Sequence, residues 1–450
     1  MSRSRQVHAA ASGARRALAG ALLACSAVVA ACAGTSGSQV EVAPSTTTSE
    51  PATTTTAPPD CADQLPEAAQ AGQLLMVLVT APQVATEHLT SGRVGGIGLK
   101  GRQSANVGDE VASAVAEAPI DPFVASDEEG GTVQRLTYAL GELSSAATLA
   151  EGSPQDAANV VRDYLEAMAG LGFDMNFAPV ADVGDGSDLG SRTYGDDPGT
   201  VAGFVEAIVA AHLEVGITPV VKHWPGIGGG EGDPHVTTNL LPPLEELRGR
   251  DLTVFDRAIA GGAPAIMVAH AVVPGLSTEE EPTSLSAAAI TGELRGRQGF
   301  DGLVITDSLG MGAVVETVPQ DEAAVRAIRA GADVALLSGT DVVADAHRRL
   351  TGAIRSGEIP REQVRESVRR VLRLKGIEGP CLDVAAGFST LQQEVGAELD
   401  AAANDPGTGD EQPDDGTTGG AVVDRGVTDQ GVVDQGVADQ GVNGSGSGTG

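Results

Sequence analysis

The segment Gly302-Leu-Val-Ile-Thr-Asp-Ser-Leu-Gly-Met311 contains the pattern that decides the fold of this chain: a short apolar run that ends on a carboxylate, Asp307. Such a run without polar alternation is typical of a strand buried on both faces, as in a parallel sheet. Similar runs recur between Asp63 and Pro380. The eight runs span residues 74–79, 96–99, 122–126, 174–180, 218–222, 265–270, 302–306 and 333–338.

Longer amphipathic stretches separate these runs, for example residues 154–171, 200–215 and 244–260. Eight strand–helix units over one region predict a single (β/α)8 barrel of the TIM type, an α/β fold, over residues 61–385. A doubly wound open sheet is the alternative, but no Gly-x-Gly-x-x-Gly follows the first run to favour it.

Polar residues lie at the ends of several runs. They are Asp127, Lys222, His223, His270 and Asp307, and Asn176 lies within the fourth run. One charge that closes a strand is usually a solvated end or a helix cap. Because the carboxyl ends of barrel strands meet at one face, this set predicts an active site there.

The segment Lys222-His-Trp-Pro-Gly-Ile-Gly-Gly-Gly-Glu-Gly-Asp-Pro-His235 pairs a strand-ending cation with a carboxylate and an imidazole beyond five glycines. A carboxylate bonded to an imidazole fixes its tautomer and supports proton transfer near neutral pH. The histidines of this region show neither a His-Glu-x-x-His nor a His-x-His pattern, so we expect no metal.

This segment resembles the signature of the glycoside hydrolase family 3 β-N-acetylglucosaminidases, and residues 301–311 resemble the family segment that supplies the nucleophile. The resemblance covers about residues 61–380 and implies Asp307 as nucleophile and His235 as acid/base, held by Asp233. The segments Asp127-Glu-Glu-Gly-Gly-Thr-Val-Gln-Arg135 and Gly190-Ser-Arg-Thr-Tyr-Gly195 are similar to family segments too. The resemblance implies substrate-binding roles for Asp127, Arg135, Arg192, Lys222, His223 and, behind them, Asn176. Pro234 departs from the family pattern, in which Ser or Thr stands between the two catalytic residues.

The resemblance implies a retaining exo-β-N-acetylglucosaminidase that needs no cofactor and acts as a monomer on GlcNAc-terminated glycans or muropeptides, through a covalent glycosyl-Asp307 intermediate. Three alternatives stay open: a phosphorylase of the same family, a β-glucosidase, and a non-catalytic lipoprotein that binds amino sugars. Dependence of the rate on phosphate, and comparison of GlcNAc with glucose glycosides, separate them.

The ends of the chain differ in composition from the middle. Residues 1–31 have the charged and apolar parts of a signal peptide, and Val29-Ala30-Ala31-Cys32 resembles a lipobox, which predicts a lipid-anchored protein with Cys32 lipidated. A soluble secreted protein is the alternative. Residues 32–60 are rich in Thr and Pro and are expected to be a linker. Residues 386–450, with pentapeptide repeats, are expected to be a mostly disordered tail.

The net charge of −33 makes nucleic acid an unexpected partner. Cys61 and Cys381 bracket the predicted barrel in a compartment that permits disulfides. Because the first and last elements of a closed barrel are neighbours, we expect these cysteines to pair; two free thiols are the alternative.

Overall fold

Eight parallel strands form the centre of the molecule. The computed structural model describes residues 60–184, 189–230 and 239–404. The strands are β1 (Leu75–Val79), β2 (Gly96–Leu99), β3 (Phe123–Ser126), β4 (Met175–Asn176), β5 (Thr218–Trp224), β6 (Ala265–Val268), β7 (Leu303–Thr306) and β8 (Ala335–Ser338).

The sheet closes on itself. Its strand order runs from β8 through β1 to β7, with every pair parallel. A parallel bridge between Ile305 and Val334 joins the two ends, and the Thr306 amide donates to the Val334 carbonyl at 3.0 Å. The barrel prediction is therefore confirmed, and the open sheet is excluded.

The strands are apolar on both faces because one face fills the barrel and the other lies under helices. Met76, Ile97, Val221 and Val304 are all fully buried in one continuous core. Burial of that kind is the main stabilising contribution of a barrel, at about 25 cal/mol for each Å² of apolar surface removed from water.

Sixteen α-helices lie in the described residues. They are α1 (Cys61–Gln64), α2 (Glu67–Gln73), α3 (Thr86–Ser91), α4 (Val107–Val115), α5 (Thr137–Leu140), α6 (Ala146–Leu149), α7 (Pro154–Gly170), α8 (Pro198–Val215), α9 (Leu244–Gly249), α10 (Asp251–Ala260), α11 (Gly312–Val315), α12 (Gln320–Ala330), α13 (Val343–Ser356), α14 (Arg361–Leu374), α15 (Leu382–Ala386) and α16 (Ser389–Ala403). Short 3₁₀ helices span Pro82–Ala85, Gly190–Arg192 and Thr283–Leu285, and a π-helix spans Ala288–Arg297.

The two longest helices begin and end where the sequence dictates. In α7 the Ser153 side chain accepts from the Asp156 amide, and a proline holds the first helical position. In α8, Asp197 accepts from the Thr200 amide, and Gly216 ends the helix in the left-handed conformation. Such caps fix where the strand after each helix starts.

The elements differ from the predicted ranges in three places. The fourth run, predicted over 174–180, pairs as a strand only at Met175–Asn176, and the stretch 244–260 is two helices that meet at Arg250. The fold also extends past the predicted boundary at residue 385, because α16 packs through Leu391 and Val395. The Gln392 side chain accepts from the Ala68 amide at 3.0 Å.

Cys61 and Cys381 form the expected disulfide, with 4.9 Å between their Cα atoms and 320 residues between them in sequence. The bond joins the start of α1 to the residue before α15. The predicted signal peptide, Cys32, the linker up to residue 59 and the repeat tail lie outside the described residues, as do Asp233, Pro234 and His235.

Candidate active site

A pocket of about 910 Å³ opens at the carboxyl ends of the barrel strands. A pocket of this size can hold a sugar and part of a second one. Among the predicted residues that line it are Asp127, Arg135, Arg192, Lys222, His223 and Asp307. The structure thus brings six of the predicted site residues to one cavity.

Paired charges form one side of this pocket, and Lys222 lies at their centre. Its Nζ contacts Asp127 Oδ1 and Glu129 Oε1, each at 2.6 Å. Glu129 also accepts from Arg192, at 2.7 Å from Nε and 3.0 Å from Nη2. Arg135 Nη2 lies 3.6 Å from Asp127 Oδ2. We call these five residues the charge cluster.

Opposite charges favour the ionised forms of Glu129 and Lys222. Burial raises the pKa of Glu129, but the charges of Lys222 and Arg192 outweigh burial and lower it to about 2. Burial lowers the pKa of Lys222, but Asp127 and Glu129 raise it above its ordinary value. Fixed carboxylates and cations can accept from and donate to sugar hydroxyls without first reorganising.

A tight turn places Glu129 beside Lys222. Gly130 and Gly131 follow it with φ of 90° and 60°, which favour glycine. A Cβ on Gly130 would lie 2.1 Å from the Ser144 carbonyl oxygen. The turn therefore requires glycine, and it directs the chain from Asp127 back toward Arg135.

Asp307 follows β7 and lines the same pocket. Its amide donates to the Val268 carbonyl at 2.8 Å, and one of its carboxylate oxygens accepts from the Ser308 amide at 2.7 Å. Burial raises the pKa of Asp307, but His223, His270 and the Ser308 amide outweigh burial and lower it below its ordinary value. The carboxylate is therefore ionised at neutral pH, as a nucleophile must be.

His223 is held by a carboxylate that the sequence analysis did not identify. Its Nδ1 lies 2.7 Å from Asp182 Oδ2, while the Ile227 amide donates to Asp182 Oδ1 at 2.8 Å. If Nδ1 donates to this carboxylate, Nε2 remains for a ligand. Lys222 and His223 are consecutive, yet both line the pocket, because the register of β5 shifts between Val221 and Trp224.

His270 ends the sixth strand region but does not line the pocket directly. Its Nδ1 lies 2.7 Å from Ser284 Oγ and its Nε2 lies 2.9 Å from the Ser308 carbonyl oxygen. Burial lowers the pKa of His270 despite the nearby Asp307 carboxylate. The ring donates from Nε2 to the Ser308 carbonyl and thereby fixes the backbone that follows Asp307.

Asn176 lies behind the pocket instead of in it. Its side-chain oxygen accepts from the Glu128 amide at 3.0 Å, and its Nδ2 lies 3.1 Å from His212 Nε2. Glu128 itself is buried and accepts from Ser126 and Tyr164 at 2.6 and 2.7 Å. Asn176 thus positions the loop between Asp127 and Glu129 from behind the residues that line the pocket.

Two residues of this site, Glu129 and Asp182, were missed in the sequence. Glu129 stands two positions after Asp127, and that alternation was a signal that both face the same side. Asp182 lies beyond the fourth run, where Val180 pairs with Lys222 in a parallel bridge and carries it beside His223. Over the described ranges, no group of three His, Cys, Asp or Glu residues could hold a metal ion.

The barrel, its carboxylate-bearing pocket and the sequence together define the class of this protein. Residues 68–374 match the model of the glycosyl hydrolase family 3 N-terminal domain, so the chain belongs to glycoside hydrolase family 3. It is a glycosidase of the β-hexosaminidase type.

Particular relatives support this assignment. The β-hexosaminidase LpqI of Mycobacterium tuberculosis is 38% identical over 321 residues, which cover 69% of this chain and 82% of the relative. The β-hexosaminidase of Xylella fastidiosa strain 9a5c is 38% identical over 254 residues, covering 54% of this chain and 75% of the relative.

Solved structures share the fold. The structure of M. tuberculosis LpqI has a TM-score of 0.66 at 38% identity and covers 70% of this chain and 96% of that one. A family 3 β-N-acetylglucosaminidase from Paenibacillus sp. FPU-7 has a TM-score of 0.64 at 30% identity, with 72% of this chain and 64% of that one covered.

Proposed function

We propose that this chain is a retaining exo-β-N-acetylglucosaminidase that removes terminal GlcNAc from peptidoglycan-type fragments. The observation that carries the proposal is Asp307, an ionised carboxylate in the same pocket as the charge cluster. A retaining glycosidase needs such a carboxylate below the anomeric carbon and a proton donor on the leaving-group side.

In the first step an Asp307 oxygen bonds to the anomeric carbon while the bond from that carbon to the leaving-group oxygen breaks. His235 gives its proton to the leaving oxygen. In the second step water bonds to the anomeric carbon, the ester to Asp307 breaks, and the water proton passes to His235, with Asp233 supporting the charged ring. The roles of His235 and Asp233 rest on the sequence resemblance.

The charge cluster would bind the hydroxyls at the nonreducing end of the sugar. Lys222 and Arg192 can donate to hydroxyl oxygens, and Asp127 accepts from hydroxyl hydrogens. A site built this way rejects sugars that lack the matching hydroxyl, because its buried charges would then lose a partner. Because the charge cluster would bind the hydroxyls of the terminal sugar, the pocket fits an enzyme that removes one terminal residue.

The wall substrate and the location are part of the proposal. The predicted lipidated Cys32 and the Thr- and Pro-rich linker would tether the barrel outside the cytoplasmic membrane, where peptidoglycan fragments occur. Metabolic labelling with a fatty acid would test the anchor. Label that is absent from Cys32→Ala but present in the wild type supports it, and equal labelling contradicts it.

The activity is tested with 4-nitrophenyl glycosides of GlcNAc and glucose. We expect turnover of the GlcNAc glycoside and a fall in kcat of at least about 1,000-fold in Asp307→Ala. Asp109→Asn, on the exposed face of α4, is the control for loss of an ordinary carboxylate. Preference for the glucose glycoside, or turnover that survives in Asp307→Ala, would overturn the assignment.

The covalent step has its own test. A 5-fluoro-GlcNAc donor slows the second step more than the first, so the intermediate accumulates. Peptide mass mapping should then place one fluorinated sugar on the peptide that contains Asp307. Label on a different carboxylate, or inverted product configuration by NMR, would contradict the mechanism.

A further inference from the structure

One cation in the pocket is not part of the charge cluster. Lys100 comes directly after β2 and lines the pocket, but within the described ranges no carboxylate lies within 4.0 Å of its Nζ. The other three cations that line the pocket, Arg135, Arg192 and Lys222, all pair with Asp127 or Glu129. Lys100 is thus the cation whose charge the described pocket leaves uncompensated.

Lys100 is held in place by a neutral contact. Its Nζ donates to Ser338 Oγ at 3.0 Å, across the end of β1. Ser338 is fixed in turn by Gln320, which accepts from the Ser338 amide at 2.8 Å and donates to its carbonyl at 3.1 Å. An ammonium group has three donors, so this contact leaves donors for a ligand.

Apolar side chains surround this side of the pocket. Leu78, Met311 and Leu336 line it together with Lys100 and Ser338. An ammonium group in partly apolar surroundings interacts more strongly with an anion than one in open water does. The setting therefore favours a ligand that carries both an apolar part and a negative charge.

The position of Lys100 relative to Asp307 indicates which part of the substrate it meets. The charge cluster comes from the ends of β3, β4 and β5, whereas Lys100 and Ser338 come from β2 and β8. A pyranose ring carries its O4 and its anomeric carbon at opposite ends. Lys100 contacts Ser338 at the end of β8, and β8 lies beside β7, which carries Asp307. With the hydroxyl end at the charge cluster and the anomeric carbon at Asp307, an aglycone on the β8 side would meet Lys100.

The charges around Lys100 agree with an anionic aglycone. The described lining of the pocket has four cations, Lys100, Arg135, Arg192 and Lys222, against three carboxylates, Asp127, Glu129 and Asp307. The Asp233 carboxylate of the proposed acid/base pair would balance that count. The attraction for an anion is therefore local to Lys100, which no described carboxylate neutralises.

We propose that Lys100 binds a carboxylate on the aglycone and gives this enzyme a preference for GlcNAc linked to a carboxylate-bearing sugar over GlcNAc linked to a neutral one. The inference rests on the proposed function and adds a specificity-determining residue to it. The lactyl ether of N-acetylmuramic acid supplies such a carboxylate together with an apolar methyl group.

The test uses two matched disaccharides, GlcNAc β-1,4-linked to N-acetylmuramic acid and the same compound with the lactyl carboxylate converted to an amide. The two compounds have nearly the same shape, but the amide lacks the negative charge and has an N–H donor in place of one acceptor oxygen. We expect the wild-type kcat/KM to favour the acid by about tenfold, as a charge-assisted hydrogen bond in a partly buried site implies. Lys100→Met should remove that preference, and Lys100→Arg should keep most of it.

Arg102→Met is the control for loss of a positive charge, because Arg102 is exposed two residues further along and does not line the pocket. It should keep the preference for the acid. An unchanged acid-to-amide ratio in Lys100→Met would overturn the proposal, as would a wild-type enzyme with no preference. A Lys100-dependent rise in rate with inorganic phosphate, without discrimination of the aglycone, would also overturn it.

Failure of the proposed function and failure of the Lys100 assignment give different kinetic results. If the wild type turns over neither disaccharide nor the 4-nitrophenyl GlcNAc glycoside, the proposed function is wrong. If it turns over all of them but the acid-to-amide ratio does not depend on residue 100, only the inference about Lys100 is wrong.

Discussion

Removal of the Glu129 carboxylate should destabilise the charge cluster and, with it, the folded protein. Glu129 contacts Lys222 on one side and Arg192 on the other, and its side chain is 2% exposed. Its pKa is lowered from 4.5 to about 2. A difference of roughly 2.5 in pKa between unfolded and folded chain corresponds to about 3 kcal/mol of stability at pH 7. Glu129→Gln should lose about that much.

The sign of the pH dependence is fixed by the lowered pKa. The contribution of Glu129 is fully present above the unfolded pKa of 4.5 and is lost as the pH falls toward 2. The difference in unfolding free energy between wild type and Glu129→Gln should therefore be about 2 kcal/mol smaller at pH 3 than at pH 7. Urea denaturation at the two pH values measures it.

A surface pair supplies the matched control. Glu206 forms a bidentate contact with Arg257, and both side chains are more than one-third exposed. Glu206→Gln should cost less than about 1 kcal/mol, because water screens that pair. A contrary result would be that Glu129→Gln lowers the free energy of unfolding no more than Glu206→Gln does, or by an amount that does not vary with pH. Either result would show that Lys222 and Arg192 do not stabilise the ionised form of Glu129.

Three further outcomes follow from the structure. Asp182→Asn should lower kcat/KM by about 10- to 100-fold with little change in the melting temperature, measured with the 4-nitrophenyl GlcNAc glycoside, since His223 loses its orienting carboxylate; an unchanged rate contradicts this. Burial raises the pKa of Glu128 to about 7, so its contribution to stability falls as the pH rises from about 4.5 to 7, by about 3 kcal/mol at most. In Glu128→Gln the free energy of unfolding, measured by urea denaturation, should therefore vary less with pH over that range; an unchanged pH dependence contradicts this. Replacing Cys61 and Cys381 together by Ser should lower the free energy of unfolding by about 2–5 kcal/mol, and a reducing agent should produce the same loss in the wild type only.

The fold was largely predictable because burial on both faces leaves a periodic trace in the sequence. All eight predicted runs overlap a strand, and Gly96–Leu99 matches its prediction at both ends. The fourth run is a regular strand only at Met175–Asn176. Beyond it the Val220 and Lys222 amides still donate to the Ala178 and Pro179 carbonyls, but Pro179 has no amide to donate in return. The helix Ser389–Ala403 was missed because its acidic surroundings hid the spacing of Leu391 and Val395.

The site was predictable in part. Six of the residues named from the resemblance line one pocket, whereas Asn176 lies behind it and Asp233 and His235 lie outside the described residues. The alternation of the consecutive acids Asp127, Glu128 and Glu129 indicated that the first and third share a face, but not which face the pocket uses. Only the fold shows that the middle one turns away, to Ser126 and Tyr164, while the outer two face Lys222. No sequence motif marks Lys100. It became informative only because the other cations that line the pocket pair with Asp127 or Glu129, whereas Lys100 pairs with no described carboxylate.

The disulfide makes the described barrel a covalent ring. Because Cys61 and Cys381 are joined across 320 residues, one proteolytic cut anywhere between them opens the ring and releases no fragment. A singly nicked enzyme would keep its full mass on a non-reducing gel and fall into two pieces only after reduction. The halves of a nicked barrel would also stay at high effective concentration, so the active pocket can reassemble from a chain that has already been cut.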